Sequence, residues 1–121
     1  MKQLLVLASL AVATTVPHAQ TAASRSSERL LSECSAALRI MDGQKSVDFI
    51  EASNCVGYIQ GYRDGMATLF KADERSCVPL EASAGEVAQK IVAYLKGNPG
   101  SLYLDKRVGM QAALAASYPC N

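Results

Sequence analysis

Residues 27–43 read SERLLSECSAALRIMDG, and this stretch decides the fold class. Leu30, Leu31, Cys34, Ala37, Leu38 and Met41 recur at three- and four-residue steps, the spacing of one helical face. Ser26 or Ser27 offers a cap, Glu28 suits the positive end of the helix dipole, and Asp42-Gly43 is a stop signal. The following stretch, SVDFIEASNCVGYIQGYRDGMATLF over residues 46–70, predicts a second helix. It starts between Ser46 and Glu51 and ends near Phe70, with Cys55, Ile59, Tyr62, Met66, Leu69 and Phe70 as its apolar stripe. Beyond a charged connection, Ser83-Ala84-Gly85-Glu86 forms a capping box. Val87, Ile91, Tyr94 and Leu95 mark the buried face of a third helix, which Gly97-Asn98-Pro99-Gly100 ends. A fourth helix is expected from about Leu102 to Ser117, with Leu104, Val108, Ala112 and Ala115 on one face and Leu114 widening it. No segment alternates apolar and polar residues over the length of a strand. The expected fold is therefore all-α, a small bundle of about four helices, antiparallel because short linkers join neighbours.

Composition narrows the function. The chain has 121 residues, of which 50% are apolar and 19% charged, with a formal net charge of +1. That is one domain, too apolar for disorder and without the basic excess that nucleic acid or an anionic membrane requires. Lys2 followed by the short apolar run Leu4–Ala13 reads as a secretory signal peptide, too short to span a bilayer. Cleavage is expected after Ala19, Ala22 or Ala23, which gives a signal peptide over residues 1–23 and a single helical domain over 24–121. No cysteine lies beside the cleavage region, so no lipid anchor is expected. The expected destination is an oxidising compartment, the periplasm. Removal of the leader takes away His18, the only histidine.

The four cysteines of a short exported chain imply a disulfide framework. A zinc site would need close Cys pairs or histidine ligands, and the mature chain offers neither. Cys34 lies about two turns before the end of helix one, and Cys55 lies one to two turns into helix two. Cys77 precedes helix three, and Cys120 follows helix four. Antiparallel neighbours match these heights, which predicts the pairs Cys34–Cys55 and Cys77–Cys120. On the loop-entropy account each bridge stabilises by roughly 3–4 kcal/mol.

Helix two carries a second stripe: Gly57, Gly61 and Gly65, four residues apart, beside Tyr58. Each glycine costs about 1 kcal/mol against alanine in a helix. Such spacing suggests close approach, either by a neighbouring helix of the same chain or by a second copy or partner. No catalytic, cofactor or metal site is expected. General-base chemistry most often uses histidine, the cysteines are expected to be oxidised, and no glycine-rich phosphate loop follows a strand. Asp64, Asp73, Glu74 and Asp105 read as solvated surface charge.

Taken in order, the motifs resemble a known family. Cys55-Val56-Gly57-Tyr58-Ile59-x-Gly61-x-x-Asp64-Gly65 is followed by Cys77-Val78-Pro79. Next come Val92-x-Tyr94-Leu95-x-x-Asn98-Pro99, then Ala113-Leu114 and Tyr118-Pro119-Cys120. Across Leu30 to Cys120 the set resembles the Rap/Tai family of immunity proteins. The resemblance implies a helical, disulfide-bonded, exported domain that performs no chemistry. Its implied partner is a cognate peptidoglycan amidase effector delivered by a type VI secretion system, and a homodimer is a further implied possibility. The resemblance transfers scaffold residues and no contact residues.

For contacts, the loop carrying Lys71, Asp73, Glu74 and Arg75 and the segment presenting Asn98, Ser101 and Tyr103 are the candidates, since loops on a rigid scaffold carry specificity. Two other readings compete: a small periplasmic acid-stress chaperone, and another envelope binding protein.

Overall fold

The computed structural model describes residues 25–69 and 76–121. Four helices form, α1 (Ser27–Met41), α2 (Phe49–Leu69), α3 (Ala84–Gly97) and α4 (Lys106–Ser117), with a 3-10 turn at Pro99–Tyr103 before α4. Among the described residues there is no strand, and Ser26 and Asp105 form an isolated bridge.

Local chemistry explains each boundary. The Ser26 hydroxyl accepts the Arg29 N–H at 3.3 Å and starts α1. Gly43, at φ +85°, ends it by taking the left-handed conformation that a side chain disfavours. There the Gly43 N–H donates to the Ile40 carbonyl and the Gln44 N–H to the Arg39 carbonyl. α2 opens on Asp48, whose carboxylate accepts from the Ile50 and Glu51 amides at 2.9 and 3.2 Å. The capping box of α3 is complete: Ser83 Oγ accepts the Glu86 N–H, and the Glu86 carboxylate accepts the Ser83 N–H.

Each helix contributes fully buried apolar side chains: Leu30 and Cys34, Cys55 and Ile59, Val87, Ile91 and Leu95, Met110 and Leu114. Burying such a side chain is worth about 1.5–3 kcal/mol. α1 and α3 each pack against all three other helices. Met41, at the end of α1, meets Gly85 at the start of α3, while Ser27 and Leu95 converge on Gly109. α1 and α3 therefore run in opposite directions, as do α3 and α4. α2 is not the antiparallel neighbour of α1 that the short linker predicts: Arg29 pairs with Glu51 and Cys34 with Cys55, contacts that climb both helices together, so residues 42–48 carry the chain back along α1 before α2 begins. The two disulfides join Cys34 to Cys55 and Cys77 to Cys120, with Cα separations of 4.9 and 5.1 Å. Both are the pairs expected from the sequence.

Two expectations change. α4 begins at Lys106 and not near Leu102, because Asp105 is its cap and accepts the Arg107 N–H at 2.9 Å. Its buried face is Gly109, Met110, Ala113 and Leu114, whereas Leu104 and Val108 are exposed. The rotation follows from Gly109. A Cβ there would lie 2.7 Å from the Ser27 Cβ and closer still to its hydroxyl, so only glycine lets the start of α1 sit against α4. The glycines of α2 behave in the opposite way. Gly57 and Gly61 are exposed, and nothing among the described residues lies within 4 Å of a Cβ placed at Gly57, Gly61 or Gly65. Close packing by a neighbouring helix of the same chain is not formed there.

Substitution at the two kinds of glycine should separate them. Gly109→Ala should destabilise by about 1–3 kcal/mol through overpacking. Gly61→Ala should stabilise by up to about 1 kcal/mol through helix propensity. Urea unfolding of both variants checks the opposite signs.

Candidate functional site

One end of the molecule is organised by a buried carboxylate. Glu33 on α1 is 3% exposed. It accepts from Arg29 Nε at 3.2 Å and pairs with the Lys106 ammonium at the start of α4. Arg29 also reaches Glu51 on α2 at 2.8 Å, and the Ser32 hydroxyl donates to that carboxylate at 3.2 Å. A buried charge must be paired to be tolerated, so this network ties α1, α2 and α4 at fixed heights.

Lys106 serves a second contact, with its ammonium 4.6 Å from the centre of the Tyr58 ring. Burial pushes the Tyr58 hydroxyl above its ordinary range, and the Asp105 carboxylate adds to the effect. Tyr58 is thus a half-buried strut between α2 and α4. The face of Gly57 and Gly61 beside it stays open.

Next to this end lies the Pro99–Tyr103 turn. Asn98 Nδ2 donates to the Tyr94 carbonyl at 2.8 Å, which leaves Asn98 exposed at the end of α3. Ser101 is buried, and its hydroxyl donates to the Asn98 carbonyl at 2.6 Å. It shapes the turn and does not face outward, contrary to its expected display. Tyr103 is 87% exposed, and Leu104, Arg107 and Val108, which follow it in the chain, are exposed as well. Lys71, Asp73, Glu74 and Arg75 lie outside the described residues.

At the opposite end, Arg63 of α2 donates to the carbonyls of Ala82 at 2.7 Å, Pro79 at 3.0 Å and Leu80 at 3.3 Å. The Cys77 N–H donates to the Tyr118 carbonyl at 2.7 Å beside the Cys77–Cys120 bridge. Burial raises the Tyr118 hydroxyl above its ordinary range, with Glu86 adding to it. Sequence reasoning assigns no structural role to Arg63, Glu33, Gly109 or Leu80, and offers Ser27 only as an alternative cap to Ser26. Gly109 alone left a local signal, a glycine inside a helical run. Arg63, Ser27 and, through Lys106, Glu33 meet partners from distant parts of the chain.

All four thiols are taken up in disulfides. Among the described residues no cluster of His, Cys, Asp or Glu is suited to hold a metal ion, and no buried side-chain polar atom lacks a hydrogen-bond partner. What the geometry offers is a helical scaffold stapled by two disulfides, with side chains displayed at both ends. The model of the Rap1a immunity proteins matches residues 26–120. The chain belongs to this family, and membership implies a cognate effector as the partner it binds. Comparison with curated proteins and with solved structures gives no match.

Two predictions follow from these contacts. Lys106→Met leaves buried Glu33 with Arg29 alone and should cost about 3 kcal/mol, most of which the double variant Glu33→Leu/Lys106→Met should recover. Urea unfolding of the three proteins checks this. The second concerns Glu86, whose carboxyl is held below the ordinary carboxylate range by the Ser83 amide, with the Ser83 hydroxyl adding to it. A depressed folded-state value means the contribution is present above the unfolded value and lost as pH falls through the folded one. The stability advantage over Glu86→Gln should therefore hold at neutral pH and shrink below about pH 4, as read from thermal midpoints across a pH series.

Proposed function

We propose that the chain is an exported immunity protein that binds and occludes a peptidoglycan amidase effector delivered by a type VI secretion system. The family match over residues 26–120 carries this reading. Export of the domain over residues 24–121, after removal of residues 1–23, places the protein in the periplasm, where its disulfides persist. The effector does the chemistry, and this protein denies it access to its substrate without reacting itself.

The exposed residues Asn98, Tyr103, Leu104, Arg107 and Val108 are the proposed contact surface. It combines an aromatic anchor with a guanidinium, the residue types that carry most energy in protein interfaces. The Lys71–Arg75 loop is a second proposed contact. The open face of Gly57 and Gly61 beside Tyr58 is a proposed seat for another chain, a second copy included. A backbone without Cβ atoms lets such a chain approach closely.

Neutralisation tests the proposal. The product of the adjacent gene is exported into the periplasm of a test cell with and without this protein, and lysis and cross-link cleavage are followed. Rescue together with a stable complex of the two proteins supports the reading, and lysis that this protein fails to prevent overturns that pairing. Within the complex, Tyr103→Ala should weaken binding by at least about tenfold, read by calorimetry. An unchanged dissociation constant removes Tyr103 from the interface.

A further inference from the structure

Leu80 is 96% exposed, the most exposed large apolar side chain among the described residues. An exposed leucine is ordinary by itself. The backbone beneath this one is not. The Ala82 N–H closes a tight turn onto the Pro79 carbonyl at 3.1 Å. A single guanidinium, that of Arg63, satisfies the carbonyls of Pro79, Leu80 and Ala82 from below. On one side the chain is tied to the C-terminus by Cys77–Cys120 and by the Cys77 N–H on the Tyr118 carbonyl. On the other it enters α3 directly through the Ser83–Glu86 capping box.

We infer that the Pro79–Ala82 turn is a preformed docking element that inserts Leu80 into an apolar socket of the cognate effector. The inference rests on the immunity reading above and adds a contact that the family match does not assign. Three physical arguments support it. A turn held from both sides and from beneath loses little conformational entropy on docking, and such ordering is a main cost of association. The Pro79, Leu80 and Ala82 carbonyls already have donors, so covering them with a partner strands none of these three acceptors. Finally, the turn borders a cleft of about 420 Å³ lined by Pro79, Glu81, Ala82, Glu86, Lys90 and Tyr118. Two carboxylates stand there against two cations, Lys90 and the Arg63 guanidinium beneath the turn, so no net charge opposes an apolar partner surface at Leu80.

The experiment uses the mature protein and the effector with which it forms a complex in the neutralisation assay. Leu80→Asp, Leu80→Met and wild type are compared by thermal unfolding and by calorimetric titration with that effector. The expected result is an unchanged thermal midpoint for all three, because the side chain touches almost nothing. Binding should fall at least about thirtyfold for Leu80→Asp and stay within about threefold of wild type for Leu80→Met. Leu80→Asp binding as wild type does overturns the inference and leaves the immunity reading standing. A wild-type protein that forms no complex overturns the immunity reading, and with it the effector as occupant. A further measurement needs no partner. Backbone amide relaxation at Leu80 and Glu81 should match that of α3, and fast motion there overturns the preformed turn.

Discussion

Ser27 is fully buried where α1 begins, pressed against Gly109 of α4. Its N–H donates to the Leu104 carbonyl at 2.8 Å, and its hydroxyl lies 3.1 and 3.2 Å from the carbonyls of Leu104 and Asp105. The first turn of α1 and the entry to α4 thereby satisfy each other's orphan backbone groups. The absence of a Cβ at Gly109 sets how near the two helices come, and that nearness sets the rotation of α4. Met110, Ala113 and Leu114 turn into the core, while Leu104 and Val108 turn outward beside Tyr103. The exposure of Leu104 and Val108 is thus a consequence of one close approach. Lys106 is carried by the same rotation to Glu33 and over the Tyr58 ring.

The bundle is pinned at both ends by different chemistry. One end uses an ion-pair network around a buried carboxylate, linking α1, α2 and α4. The other uses Arg63, a disulfide and a capping box to hold the connection into α3. Between them the Cys34–Cys55 bridge sits wholly inside the core. With helices held at fixed heights, exposed side chains at either end occupy fixed positions. That suits a protein whose role in an immunity family is to fit another protein.

Much of this was legible in the sequence. The Ser83–Glu86 box, the Asp42-Gly43 stop and the apolar steps of α1 and α3 are local, and local chemistry needs only neighbours in the chain. The disulfide pairs are those expected, but the antiparallel heights that predict Cys34–Cys55 are not the reason for it, since Arg29–Glu51 and Cys34–Cys55 climb α1 and α2 together. The start of α4 was misplaced because Leu102 and Leu104 extend an apolar pattern that Pro99 and Asp105 interrupt. Its face was misread because alanine-rich helices have shallow periodicity, and glycine carries no hydrophobic signal.

The sequence by itself determined the helical class, the caps and the family resemblance, since each depends on residue type and spacing along the chain. Tertiary structure alone decided which glycine is packed and which are open. Gly57, Gly61 and Gly109 are chemically identical, and only the arrival of Ser27 beside one of them distinguishes it. It also decided that Arg63 holds the turn displaying Leu80 and that Glu33 is buried with two cations. Such contacts join residues far apart in sequence, and their partners exist only once the helices have packed.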